Sequence, residues 1–332
     1  MSYSINSNFV VDVFRNACVN SVILESGISL TSNVFASTSP SIGSIAGYSI
    51  AGRNVPGILS SIEKFPFVST YVSRSVGNTT VAKHTGAAHQ SRENGYFAGG
   101  IDSSNVMRDT IDKFSFTTDS SAYSVGCLTL ARRTFSGVSS LTDGYNTGGQ
   151  SCLSPDTSVA RVDKFPFAAD SNSTCLGNLQ NSRKWQIGNS SYTNGYVSGG
   201  PIPTSNCMER FPFAYGSVST SIFTLNIGIE SASPYNSSTN GYIAGGYFYP
   251  TNSTLACIQK FPYASDTPSS VVGCLTSGLS SSAGSSSSTH GYTSGGYNYT
   301  TSVQRFSFAS EGLATCIGAL TTLRGNNSGT QV

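Results

Sequence analysis

Charge is scarce in this chain. Asp, Glu, Lys and Arg make up 10% of its 332 residues and the formal net charge is +2, so no broad field of one sign exists to draw in nucleic acid or an acidic membrane surface. Long apolar runs are missing too. No stretch approaches the roughly 20 residues that span a bilayer as a helix, and the opening Met1-Ser2-Tyr3-Ser4-Ile5-Asn6 lacks the basic region and apolar run of a secretion signal. These absences predict a soluble protein that binds no nucleic acid and inserts into no membrane, folded in a cytoplasm unless a processed segment has already been lost.

The residues of common catalytic centres are equally sparse. Of three histidines, His84 and His89 stand five apart in a polar connection and His290 is remote, which does not make a ligand set, so no metal and no cofactor are expected. There is no Cys-x-x-Cys pair, no Gly-x-Ser-x-Gly nucleophile turn and no Gly-rich phosphate loop ending in Lys-Ser or Lys-Thr. The prominent carboxylates Glu63, Asp112, Asp163 and Glu209 occupy one repeated position, and a glycosidase pair would not be expected to recur in this way. The expectation is a protein that is not an enzyme.

What the sequence does have is a repeat. Gly95-Tyr96-Phe97-Ala98-Gly99-Gly100 recurs in the runs starting at Gly144, Gly195, Gly241 and Gly291, with a degenerate copy, Gly47-Tyr48-Ser49-Ile50-Ala51-Gly52. Each is followed by a second signature of the type Ile111-Asp112-Lys113-Phe114, and the period is about 49 residues. Short apolar runs broken by glycines at this period predict a β-propeller with one four-stranded blade per repeat. The Gly-Tyr run is assigned to strand b, the Ile-Asp-Lys-Phe run to strand c, segments such as Val125-Gly126-Cys127-Leu128 to strand d, and the residues before the next Gly-Tyr to strand a. Pro66, Pro166, Pro212 and Pro262 lack a ladder donor and should end strand c. Cys127, Cys175, Cys274 and Cys316 fall in strand d, where buried thiols packing between blades are expected.

Counting the termini predicts a single domain over residues 1–332 with seven blades. Repeats at about 38–84, 85–133, 134–183, 184–229, 230–279 and 280–322 form six of them; residues 1–37 and 323–332 form the seventh, with strand a from about 323–331 and strands b to d from about 2–30. Six blades with the N-terminal segment outside the ring is the alternative.

Paired glycines ending one strand, a spaced aromatic run in the next and an Arg before the following repeat (Arg132, Arg183, Arg324) resemble the kelch repeat over most of the chain. Phe-Pro-Phe stands where ordinary kelch units run Tyr-Asp, and their Trp is lacking. The wording Lys164-Phe165-Pro166-Phe167-Ala168, Gly273-Cys274-Leu275-Thr276 and the run 287–296 is similar to kelch-like proteins of tailed phages of aquatic bacteria. That resemblance implies a virion protein made in the host cytoplasm, a tail or surface appendage among other virion proteins.

Recognition is expected on the variable connections between strands b and c, which share a face with the d to a connections. Tyr247, Tyr249 and Asn252, with Tyr297 and Tyr299, put aromatics beside amides and hydroxyls, the combination that stacks on sugars and bonds their hydroxyls; Tyr247 and Tyr297 could instead extend strand b. Asp102, Met107 and Arg108 form a more polar loop. Arg183, Lys184 and Trp185 form a candidate protein-partner anchor, with a core Trp as the other reading. Lys64, Lys113, Lys164, Arg210, Lys260 and Arg305 read as a structural ring of ion pairs with their neighbouring acids, or as an anion site around the channel. The functional expectation is a non-enzymatic appendage that binds a host surface receptor, with a glycan as candidate. A purely structural capsid or tail decoration protein is the alternative, and a carbohydrate-active enzyme a distant third.

Overall fold

A computed structural model describes residues 43–332 except 56, 69–71, 202, 204 and 215–218. Those residues build six blades of four antiparallel strands arranged as a β-propeller, with the short segment Gly312–Leu313 added in parallel to the edge of blade 5. Blade 2 shows the pattern: strands a to d are Ala87–Gln90, Asn94–Ala98, Thr110–Ser115 and Tyr123–Cys127, paired in sequence order from the axis outwards. Blades 3, 4, 5 and 6 repeat it with inner strands Ser136–Ser139, Ile187–Ser190, Ser233–Asn236 and Ala283–Ser286. Pro66, Pro166, Pro212 and Pro262 are each the last residue of a strand c.

Blade 1 closes the ring by combining distant parts of the chain. Its strands b to d are Ala46–Arg53, Ile58–Pro66 and Arg74–Asn78, and its strand a is the C-terminal Ser328–Gln331. The expected seventh blade is therefore corrected to six. The C-terminal strand was rightly expected to be a strand a, but its partner is the degenerate first copy: Gly47 faces Gln331 as Gly95 faces Gln90. The strands expected at 2–30 lie outside the described residues. No room remains for another blade, because Tyr292 of blade 6 stacks directly on Phe67 of blade 1.

That contact is one of six, five of them stacked and the Tyr48–Phe116 one tilted by 33°. The Tyr of each Gly-Tyr lies over the second aromatic of the next blade's Phe-Pro-Phe type run, as in Tyr96–Phe167 at 4.9 Å and Tyr242–Phe308 at 4.6 Å between ring centroids. The first aromatic of the run fills the space beside it, and the strand b glycine is required there: a Cβ on Gly95 would come within 2.3 Å of the Phe114 ring. The paired glycines that follow make a bulged turn. The first position has φ between 55° and 71°, and the degenerate copy places Ala51 there; the second has φ between 97° and 137°, a region closed to side chains, and is Gly in all six blades.

Ion pairs lock the blades together. Strand alternation turns Glu63, Asp112, Asp163 and Glu209 inward, away from the basic residue next in sequence. Their partners are Arg324, Lys83, Arg132 and Arg183, all from the connection leading out of the preceding blade and all buried. Burial pulls Lys83 down from the usual lysine range and Arg132 to about 10, while the facing carboxylates favour the charged forms. In blades 5 and 6 the acid is Gln259 or Gln304, and the position of the base holds Ile229 or Leu279. Charge is thus installed or removed in pairs, as burial without a partner would demand.

Candidate functional site

The six inner strands enclose a central channel whose two ends differ. At one end Gln90, Ser139, Ser190, Asn236, Ser286 and Gln331 stitch neighbouring strands together. The Ser139 N–H donates to Ser190 Oγ at 3.1 Å, the Ser190 N–H to Asn236 Oδ1 at 3.0 Å and the Asn236 N–H to Ser286 Oγ at 2.8 Å. Only about 40 Å³ is open there, and its polar groups are committed to the scaffold.

The other end opens on the face that carries the b to c and d to a connections. Ten residues before each of five Gly-Tyr pairs, and correspondingly at Asn326, stands a non-glycine residue with φ between 52° and 56°: Thr85, Thr134, Trp185, Ser231, Ser281 and Asn326. These six join in a closed main-chain circle. Each N–H donates to the carbonyl of the ring residue in the preceding blade, with distances of 2.7 to 3.1 Å: Thr134 to Thr85, Trp185 to Thr134, Ser231 to Trp185, Ser281 to Ser231, Asn326 to Ser281 and Thr85 to Asn326. Left-handed backbone outside glycine carries a local cost that surrounding contacts must hold in place, and this circle supplies them. The cavity inside measures about 140 Å³ and is bordered by the six ring residues.

Immediately before five of the six ring residues the chain bridges to the segment following the paired glycines, so d to a connections and b to c connections meet at the rim. His84 faces Ile101, Arg133 faces Gln150 and Glu230 faces Tyr247. Tyr297 donates its N–H to the Ser280 carbonyl at 2.7 Å, and Arg53 exchanges both main-chain bonds with Gly325. In order around the ring these positions hold Arg53, bonded to Gly325, then His84, Arg133, Lys184, Glu230 and Ser280.

On blade 5 the b to c connection is a small hairpin, Tyr247–Phe248 against Ser253–Thr254, with a 3-10 turn at Tyr249–Thr251. Tyr247 does not extend strand b; its bonds run to Glu230. The turn brings together three of the residues expected as a sugar site: the Tyr247 and Tyr249 rings meet edge to face at 5.3 Å, and the Tyr247 hydroxyl donates to Asn252 Oδ1 at 3.3 Å. Glu230, which sequence reasoning missed, lies beneath them. It is 8% exposed, and burial pushes its carboxyl up to about 7 even though the Tyr249 hydroxyl beside it and Lys184 favour ionisation. Burial and the nearby Glu230 push Tyr249 up to about 12. Tyr297 and Tyr299 sit on blade 6, Tyr297 being 57% exposed; no ring contact joins them to the blade 5 pair among the described residues.

The expected partner anchor divides. Arg183 is buried and bound to Glu209, the Gly199 carbonyl and the Cys207 carbonyl, so it is a blade-to-blade tie and not a surface residue. Lys184 stands on the rim in an ion pair with Asp156. Trp185, neither core nor outward anchor, belongs to the main-chain circle and borders the cavity.

The basic residues of strand c do not border the channel. Lys64, Lys113, Arg210 and Lys260 reach acids on the next blade, Asp119, Asp170, Asp266 and Glu311, at 2.6 to 3.0 Å, while Lys164 lies 3.8 Å from Asp143 of its own blade. The corresponding connection for Arg305 of blade 6 falls at residues outside the described ones. In the polar loop Asp102 accepts bonds from the Ser104 and Val106 N–H groups and from Arg108, which closes it on itself. Among the described cysteines no disulfide occurs, and the expectation of buried thiols in strand d is corrected: Cys175, Cys274 and Cys316 are exposed and Cys127 half-buried, because strand d is the outer edge of each blade.

His89 is wholly buried between blades 2 and 3, 2.8 Å from Asn146 Oδ1, and burial depresses it to about 4. Among the described residues no three His, Cys, Asp or Glu side chains converge, and no helix is long and apolar enough to cross a membrane. Six blades around a polar-mouthed channel define a β-propeller. No family model matches the chain, and no curated protein matches it.

Proposed function

We propose that this propeller is a non-enzymatic binding protein that recognises a saccharide on the face carrying the b to c connections. The observation that carries this reading is the blade 5 hairpin, where Tyr247, Tyr249 and Asn252 assemble beside Glu230 at the channel rim. Aromatic faces bind the apolar side of a sugar ring, and amide and carboxyl groups bond its hydroxyls. The rigid ring beneath presents these groups with little ordering cost.

A binding role agrees with how the carboxylates are used. Asp112 and Asp163 accept bonds from Thr80 and Thr129 in addition to their buried ion pairs, and Glu209 from Gln180. All three are committed to the scaffold.

The kelch-like phage wording of the sequence suggests the setting: a tail or surface appendage of a virion, with a host surface glycan as receptor. Glycan-array binding followed by calorimetry tests the reading. Tyr249→Ala should lower affinity at least tenfold with an unchanged melting temperature. Unchanged affinity would exclude this hairpin as the site, and absence of binding to any glycan would favour a decoration or assembly role.

A further inference from the structure

We propose that the half of the channel rim formed by Arg53, His84 and Arg133 binds the carboxylate of an acidic saccharide, with the sugar ring lying over the cavity towards Trp185 and Tyr249. The inference rests on the saccharide-binding reading and names its ligand class.

Three adjacent positions place the cations together. Arg53 is bonded through its main chain to Gly325, His84 precedes Thr85 and Arg133 precedes Thr134. The ring residues Asn326, Thr85 and Thr134 are linked in turn by direct main-chain bonds of 3.1 and 2.7 Å. The three side chains consequently stand on consecutive blades around one arc, and the charges of Arg53 and Arg133 both act on His84.

The one acid that acts on this arc, Asp156, does so on Arg133 without pairing with it and is itself bound to Lys184. Among the described residues neither Arg53 nor Arg133 forms an ion pair; Arg133 donates its Nε–H to Gln150 Oε1 at 2.8 Å, which orients the guanidinium and leaves its terminal N–H groups for another acceptor. His84 is 8% exposed and its Nδ1 has no hydrogen-bond partner. Two guanidinium groups without an ion-pair partner, flanking a buried imidazole, are an arrangement that an incoming anion would complete. Elsewhere on this face the cations are spent: Lys184 is held by Asp156, and Arg108 by Asp102. Positive potential is therefore left on one side of the mouth only.

The three basic residues stand outside the cavity wall, and the wall itself suits a sugar ring better than a bare inorganic anion. Trp185, Ser231, Ser281 and Asn326 all border the cavity, residues that carry an aromatic ring, two hydroxyls and an amide. The cavity of about 140 Å³ is several times the roughly 10–15 Å³ that one water needs on the same measure, so it admits a polar ring-sized group more readily than a single ion. A carboxylate on the arginine side with a polyhydroxylated ring on the tryptophan side matches both halves.

The test is calorimetric titration of the full chain with matched probes, sialyllactose against lactose and digalacturonate against its methyl ester, at low and high salt. The acidic member of a pair should bind at least tenfold tighter, and the preference should shrink in salt. Arg53→Gln with Arg133→Gln should abolish the preference while leaving the neutral member's affinity and the melting temperature in place. Equal affinity for acidic and neutral probes, or a preference that survives both substitutions, would overturn the inference while leaving the saccharide reading standing. Failure to bind either member would overturn both.

Discussion

Tyr292 of blade 6 lies flat on Phe67 of blade 1, with ring centroids 4.3 Å apart and planes 18° from parallel. The two residues are separated by nearly the whole propeller in sequence, and their contact carries the same packing as the five other blade interfaces, so it completes the ring. Tyr292→Ala should cost about 3–5 kcal/mol, the usual range for deleting a buried aromatic. Denaturant titration followed by tryptophan fluorescence would measure it. An unchanged midpoint would mean that the ring is held closed chiefly by the C-terminal strand.

The buried pair Arg183–Glu209 has an internal control in the chain itself. Arg183→Ile leaves Glu209 buried without its cation and should destabilise by about 3–5 kcal/mol. Adding Glu209→Gln reproduces the Ile229 and Gln259 combination of blade 5, where Gln259 accepts the Ile227 N–H at 2.9 Å. The double variant should recover most of the loss. If it is no more stable than the single one, the two blades differ in more than this pair.

Acid should weaken the fold through its buried histidines. His89 is depressed to about 4 from an ordinary 6.5, so between those values the unfolded chain binds a proton that the native one refuses, and stability falls as pH drops through that window. The full effect is on the order of 3 kcal/mol. Strand a of blade 4 places Asn189 at the equivalent position, so His89→Asn should flatten the pH profile of unfolding between pH 6.5 and 4. A profile as steep as wild type would assign acid sensitivity to other groups.

Glu230 acts with the opposite sign. Its carboxyl is raised from 4.5 to about 7, so the native state holds a proton that the unfolded chain has released, and stability rises as pH falls from 7 towards 4.5. Glu230→Gln should therefore stabilise by about 1–3 kcal/mol at pH 8 and change little at pH 4.5. Melting curves at the two pH values decide it; equal shifts at both would show that the carboxyl is not strained by burial.

The sequence by itself determined the blade. Gly100 and its counterparts are required by a backbone angle closed to side chains, Gly95 by the Phe114 ring against it, and Tyr96 by the aromatic of the following blade. These are local demands that recur with the period, and a linear reading sees them. The pairing of buried charges was also written there, in the shared replacement of Arg by Ile229 or Leu279 and of acid by Gln259 or Gln304, although neighbouring residues such as Glu63 and Lys64 suggested a different partner until strand alternation separated them. Tertiary structure alone decided the number of blades, because whether Ser328–Gln331 starts a new sheet or completes the first depends on where the ring meets its own beginning. It alone decided the mouth as well. Thr85, Trp185 and Asn326 share no chemistry that a repeat search would detect; what they share is a backbone conformation at the point where six inner strands approach one axis and close a single circle of hydrogen bonds.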